Sequence, residues 1–302
     1  MHLNHIAFYV TNLDRSIRFY RDILHMKVYG PIPLRTLSKS GIILQKVANA
    51  PGLIQKFIES TSPHIIRNQY TTIALLSSSG KTYDLVLVEE RHPKTNMTKS
   101  VEGNTLFGFS CLLSSSVNGE VLAWDLHEAE VDFMWGDPGM DGMVYTKEHS
   151  HHSLYISDPD GRIIELIQDG CKDPSCSFIA GINTISLHCT SPDASLRFYL
   201  DKLNMHVESD TGSSIPGKRL VWLSTAHGNR CILLYGQTKP DGNPLPAGGF
   251  GLDHFALTGC TSIGEKNTDA LNISMDPEHL ATQPSSRYIK DADGYWIECM
   301  QV

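Results

Sequence analysis

The sequence predicts an α+β protein of four βαβββ modules arranged as two similar pairs. Two internal matches and one local pattern carry that expectation. Residues 3–28 (LNHIAFYVTNLDRSIRFYRDILHMKV) and 182–207 (INTISLHCTSPDASLRFYLDKLNMHV) are identical at 12 of 26 positions, at a constant offset of 179. Residues 153–168 (SLYISDPDGRIIELIQ) and 286–301 (SRYIKDADGYWIECMQ) agree at nine of 16 positions. Two matches in the same order indicate duplication, and a repeat unit constrains architecture before any single element does. The halves are expected at 1–170 and 178–302, joined by the DGCKDPSCS stretch at 169–177, whose Gly, Pro and Ser mark a linker.

The elements of one unit follow from local chemistry. Leu3–Val10 alternates like a half-buried strand. Asn12 or Asp14 can cap a helix over roughly 14–24, with Ile17, Phe19, Tyr20, Ile23 and Leu24 as its apolar face. Strands follow at Met26–Tyr29, Thr71–Leu76 and, after a Ser-Ser-Gly turn, Tyr83–Val88. A long insert, roughly Leu34–Gln69, interrupts the unit and includes an amphipathic stretch at Ile42–Ile58 broken by Pro51-Gly52, readable as a lid or as an oligomer surface. A weaker copy has a strand at Leu106–Leu113, a helix near Glu120–Glu130 and strands at His152–Tyr155 and Ile163–Ile167. The second half repeats the scheme, with strands opening at Ile182 and Leu252.

Composition narrows the function classes. The chain has 302 residues, 41% hydrophobic and 19% charged, and a formal charge of −8 with no Lys/Arg run. That disfavours nucleic acid or an anionic membrane surface as partner and fits a small-molecule protein. No apolar run is long enough to span a bilayer, and the N-terminus lacks the basic start of a secretory signal. Seven scattered cysteines without a CxxC pair argue for reduced thiols in the cytoplasm rather than for a disulfide framework.

The strand–helix run NHIAFYV…SIRFYRDILHMKV and the Tyr-x2-Asp-Pro-Asp-Gly-x3-Glu run at 155–165 resemble the vicinal-oxygen-chelate superfamily. That superfamily includes glyoxalase I, bleomycin-resistance proteins and type I extradiol dioxygenases. With their copies the motifs span nearly the whole chain, and the four-module layout is most similar to two-domain extradiol dioxygenases. The resemblance implies modules paired into two glyoxalase-like domains with cup-shaped mixed sheets, and metal ligands on the first and fourth strands of each module. Folds of this kind host several chemistries, so function rests on the site.

By that resemblance, His254 and Glu298 would be iron ligands, while His279 and Tyr288, at the extradiol spacing before Glu298, would contact a bound catecholate as acid–base groups. Two His and one carboxylate leave open positions for a chelating diol and for dioxygen. The third module departs from the pattern. Thr184 stands where its ligand His is expected, so it is left as a substrate contact, and the strand Arg230-Cys231-Ile232-Leu233 has no His. In the first half, His5 and Glu165 occupy ligand positions, Asp84 is a further carboxylate candidate, and Phe109 fills the remaining corner. The cluster His149, His151, His152 lies near the expected cup mouth, with His149 and His152 as substrate-binding candidates and a solvated loop as the alternative. Each acidic strand residue also has a structural reading, as a buried carboxylate held by hydrogen bonds.

The sequence thus leads to a metal-dependent enzyme acting on a small oxygenated, aromatic or enolisable substrate, in the first instance an extradiol-type ring-cleaving dioxygenase using Fe(II), with Mn, Zn or no metal as alternatives. A redox-neutral isomerase, cyclase or lyase, and a resistance-type binder of a small aromatic compound, are the other readings. Homo-oligomerisation is compatible with all three.

Overall fold

The computed structural model describes residues 1–33, 71–91, 105–135, 153–171, 178–210, 218–225, 228, 230–237, 250–260 and 286–300. The insert at 34–69 lies outside them. Module one comprises β1 (His2–Tyr9), α1 (Leu13–Arg18, continued by a π-helical turn at Phe19–Ile23), β2 (Lys27–Pro33), β3 (Thr71–Ser77) and β4 (Leu85–Glu90). Module two comprises β5 (Thr105–Ser114), α2 (Gly119–Glu128), β6 (Phe133–Trp135), β7 (Ser153–Ser157) and β8 (Ile163–Cys171). Module three comprises β9 (Ile179–Cys189), α3 (Pro192–Leu203), β10 (His206–Asp210), β11 (Lys218–Ser224) and β12 (Arg230–Gln237), and module four contributes β13 (Phe250–Thr258), β14 (Ser286–Lys290) and β15 (Trp296–Met300).

The expected starts and stops are visible in the caps. Asn12 Oδ1 accepts from the Arg15 backbone N–H at 2.9 Å, and the Ser191 side chain accepts from Ala194, with Pro192 opening α3 and Asn204 closing it in the left-handed region.

The pairing of modules is where the structure corrects the sequence reading. Each half was expected to close its own sheet. Instead β1 pairs antiparallel with β13, and β5 with β9, so module one joins module four and module two joins module three. One sheet runs β2-β3-β4-β1-β13-β15-β14 and the other β10-β11-β12-β9-β5-β8-β7-β6, touching where Phe250 pairs Leu106. The first strands of all modules carry similar patterns, so intra-half and inter-half pairing look the same locally. Tertiary packing decides between them. One core gathers Ile6 and Phe8, Phe109 and Cys111, Ile185 and Leu187, and Phe255 and Leu257 from all four modules. Side chains alternate across each strand, so the residues between these point to the concave faces.

The duplicated Asp-x-Asp-Gly turns are supported differently. Asp158 is paired with Arg162 at 2.8 Å, both fully buried. The position matching Arg162 is Tyr295, and Asp291 accepts from the Tyr199 hydroxyl and the Tyr295 backbone N–H, each at 2.8 Å, with no ion-paired cation among the described residues. Burial pushes the Asp291 carboxyl up from 3.8 to about 6. Below pH 3.8 folded and unfolded chains both hold this proton; between 3.8 and about 6 the native state alone holds it. Stability from this group therefore declines as pH rises through that window, by roughly 1–3 kcal/mol. Denaturant titrations at pH 4.5 and 7 should show that loss, and Asp291→Asn should flatten it; an unchanged slope in the variant would exclude Asp291 as its source.

Candidate metal centre

The site forms where module one meets module four. Two copies of one motif face each other there: Leu3-Asn4-His5-Ile6-Ala7 on β1 and Leu252-Asp253-His254-Phe255-Ala256 on β13. In the antiparallel register His5 lies opposite Ala256 and His254 opposite Ala7. The two small alanines leave room for the imidazoles to meet diagonally across the strand pair. Their Nε2 atoms are 3.1 Å apart, and Glu298 Oε2, on β15 beside Ala256, is 3.5 Å from His5 Nε2 and 3.7 Å from His254 Nε2. Among the described residues these three form the group of His, Cys, Asp or Glu able to hold a metal. All three are at most 1% exposed.

A register shift before each histidine adds a second feature. Asn4 and Asp253 are the extra residues of two β-bulges, which turn each onto the same side as its neighbour. Asn4 Oδ1 lies 2.9 Å from His5 Nδ1, and Asp253 Oδ2 lies 2.6 Å from His254 Nδ1. Tyr9 donates to the other Asp253 oxygen at 2.8 Å. With both Nδ1 atoms directed at side-chain acceptors, the two Nε2 atoms and Glu298 Oε2 converge as the three atoms that would face a metal. Metal–ligand bonds of about 2.0–2.2 Å place neighbouring donors roughly 3.0–3.5 Å apart, so the donor set fits a divalent cation. Burial and the neighbouring His254 hold the His5 imidazole well below its ordinary range, so His5 is neutral at pH 7, as a ligand must be.

Phenols and aliphatic side chains surround the triad. Tyr83 packs on the His5 ring at 4.7 Å between centroids, and Tyr288 meets the His254 ring edge-on at 5.7 Å. Burial, then the nearby Glu298 charge, pushes the Tyr288 hydroxyl well above its usual range, so it stays protonated and donates. The fourth corner follows from register. Glu298 lies beside the residue opposite His5, and the matching position on β4, beside Ala7, is Val86, packed with Ile73 and Leu75.

The remaining candidates lie elsewhere. Asp84 sits two residues before the fourth corner and accepts from the Ser78 backbone N–H at 2.6 Å, securing the β3–β4 hairpin. Glu165 and Thr184 belong to the other sheet. There the corresponding motif residues are Asn183-Thr184-Ile185-Ser186 and Phe107-Gly108-Phe109-Ser110, with Thr184 opposite Ser110 and Ser186 opposite Gly108. The position matching His254 is therefore Gly108, and Phe109 faces the core. His149, His151, His152 and His279 lie outside the described residues. Sequence reasoning missed Asn4, Asp253, Tyr83 and Val86; alignment of module one with module four would have exposed the Leu-Asn/Asp-His-x-Ala repeat.

Outer-sphere partners fix ring orientation and raise ligand basicity, and losing one weakens metal binding about 10–100-fold. Asp253→Asn should weaken metal binding by that order and Asn4→Ala by less, since its partner is uncharged. Competition with a fluorescent chelator reads both, and equal affinity in Asp253→Asn and the parent protein would remove Asp253 from this role.

Comparison with known proteins agrees with this architecture. Glyoxalase I from Zea mays, as a single-residue variant, superposes with a TM-score of 0.60 at 14% identity, covering 99% of this chain and 93% of that one. A protein from Bacillus subtilis described as a putative dioxygenase superposes at 0.57 with 11% identity, covering 100% and 85%. These likenesses establish the fold. No curated protein sequence matches the chain. The family model of the Glyoxalase/Bleomycin resistance protein/Dioxygenase superfamily matches residues 2–166, more than half of the chain, which therefore belongs to that superfamily.

Proposed function

We propose that this chain is a metal-dependent vicinal-oxygen-chelate enzyme, with extradiol-type ring cleavage of a small aromatic vicinal diol as its reaction and Fe(II) as its metal. The observation that carries the reading is the pairing of a His5/His254/Glu298 triad with Val86 at the fourth corner. Three protein donors on one face leave positions for a bidentate diol and for dioxygen, whereas a fourth protein ligand would take one of them. Bound ferrous iron would supply Lewis acidity toward the diol oxygens and a route for electrons to dioxygen.

The chain's own residues supply the rest. His5, His254 and Glu298 hold the ion, and Asn4 and Asp253 fix the two imidazole tautomers. Tyr288, held protonated beside Glu298, donates to a substrate oxygen where negative charge develops. Val86, Ile73 and Leu75 give an apolar wall for an aromatic ring and keep water from the centre. All three ligands come from one chain, so the site needs no second subunit. The described cysteines are free thiols, which suits the reducing cytoplasm that ferrous chemistry favours.

The test is anaerobic loading with Fe(II), followed by an oxygen electrode and a panel of catechols. Oxygen uptake matched by a yellow ring-cleavage product supports the reading. Turnover of a chelating substrate without oxygen uptake would replace it with redox-neutral isomerase or lyase chemistry on the same donors. Tight binding of aromatic compounds with no turnover would replace it with a binding role.

A further inference from the structure

Helix α2 of module two turns an apolar face outward. Its inner side, Leu122 and Leu126, joins the core. Its outer side carries Val121 and Trp124, 57% and 65% exposed. Three large apolar side chains are exposed among the described residues, and two of them share this one turn. A lone exposed apolar residue is ordinary, whereas two adjoining ones beside a groove mark a surface that is covered in use.

The groove, about 960 Å³ in volume, is lined by the turn between β5 and α2, by α2 itself, by Phe133 of β6 and by Gln168 of β8. Glu120, Ala123, Trp124 and His127 fall at the i, i+3, i+4, i+7 spacing, so one continuous stripe of α2 forms its wall. The turn is held in place. Gln168 Nε2 donates to the Val117 carbonyl at 3.1 Å, and Asn118 Oδ1 accepts from the Glu120 backbone N–H at 2.9 Å.

The surrounding charge has one sign. Glu120, Asp125, Glu128, Glu130 and Asp132 are all exposed, and no Lys or Arg occurs between Ser115 and Phe133. The ion pairs made by arginines among the described residues lie elsewhere, at Arg15, Arg21, Arg91, Arg162 and Arg219. That charge decides what can cover the indole. Nucleic acid and an anionic bilayer are repelled. A second copy docked two-fold on the same face would set its own carboxylates against these. A basic amphipathic segment meets both requirements, with apolar side chains for the groove and cations for its rim.

We propose that the α2 groove docks a basic amphipathic helical segment of a partner protein, its apolar stripe seated on Trp124, Val121 and Phe133 and its cationic flanks facing Glu120, Asp125 and Glu128. Trp124 is the anchor, because an indole in an interface carries a large share of the binding energy. The surface uses none of the residues of the His5/His254/Glu298 centre and stands whether or not that centre holds metal.

Calorimetric titration of the full chain with a two-heptad peptide of the repeat Leu-Lys-Lys-Leu-Leu-Lys-Leu tests it, with the same peptide carrying glutamate for lysine as control. One saturable site for the lysine peptide, weakened by added salt, and no binding of the glutamate peptide are expected. Trp124→Ala should weaken binding by about tenfold or more although it removes no charge. Glu120→Gln combined with Glu128→Gln should weaken it severalfold and make its salt dependence shallower. These side chains are exposed, so melting temperatures close to that of the parent confirm that the variants are folded. Absence of saturable binding up to millimolar peptide, equal binding of the glutamate peptide, or full affinity in Trp124→Ala would overturn the proposal. A dimer of the free protein in sedimentation that Trp124→Ala dissociates would give the face to a second copy and overturn it equally.

Discussion

Glu298→Gln should abolish metal binding and turnover together while leaving the fold intact. The substitution keeps the volume of a fully buried side chain and the neighbouring Tyr288 hydroxyl, so packing is preserved. What changes is charge. The two imidazoles remain, without the anion that offsets a divalent cation in a desolvated setting. The parent protein at one hundred times the dissociation constant gains about 2.7 kcal/mol from bound metal, and at this chain length that raises the melting temperature by roughly 4 °C. The variant should show no such rise. Calorimetric scans with and without Fe(II) or Zn(II) decide it. A metal-dependent shift of parental size in Glu298→Gln would mean that the ion binds elsewhere.

Gly108→Ala is expected to be strongly destabilising. Its Cβ would approach the Ile163 backbone at 2.4 Å (carbonyl oxygen) and 3.2 Å (carbonyl carbon), and these atoms belong to the paired strand β8 rather than to a flexible side chain. The strands must part at the middle of the second sheet, which costs about 3 kcal/mol or more. Chemical denaturation measures it directly, and a loss under about 0.5 kcal/mol, ordinary for a surface site, would show that the close approach relaxes freely. The same contact accounts for the asymmetry of the two cups, because a histidine cannot be restored at this position by substitution alone.

The fold was legible because the duplicated segments are amphipathic in the same way in every copy. Leu3–Val10 lies within a residue of β1, Asp14–Leu24 lies within a residue of α1 together with its π-helical turn, and the Asp-x-Asp-Gly turns sit before β8 and β15 as the spacing implied. Which modules share a sheet was not legible. Ile6, Phe109, Ile185 and Phe255 are interchangeable by local pattern, and their partners are set by how the four modules enclose one core.

The same ambiguity explains the reading of the site. His254 and Glu298 were visible from their motif, and His5 from its strand, but they were assigned to different cups because each half was expected to close on itself. Asp84 looked suitable because a strand at Tyr83–Val88 in register would put it at the equivalent carboxylate position; it lies two residues before the ligand register, where its oxygen caps a turn. Asn4 and Asp253 were not recognised, because strict alternation places them on the core side and the bulges that reverse them are features of pairing rather than of sequence.

The central claim is that one metal centre is assembled from the first and fourth modules, with none in the second cup. Metal per chain, measured by plasma mass spectrometry after anaerobic reconstitution, tests it most directly in the parent protein, His5→Ala and Glu165→Gln. One ion per chain in the parent, a loss of nearly all of it in His5→Ala, and full retention in Glu165→Gln are expected. Two ions per chain, or a metal content that depends on Glu165 and not on His5, would contradict it.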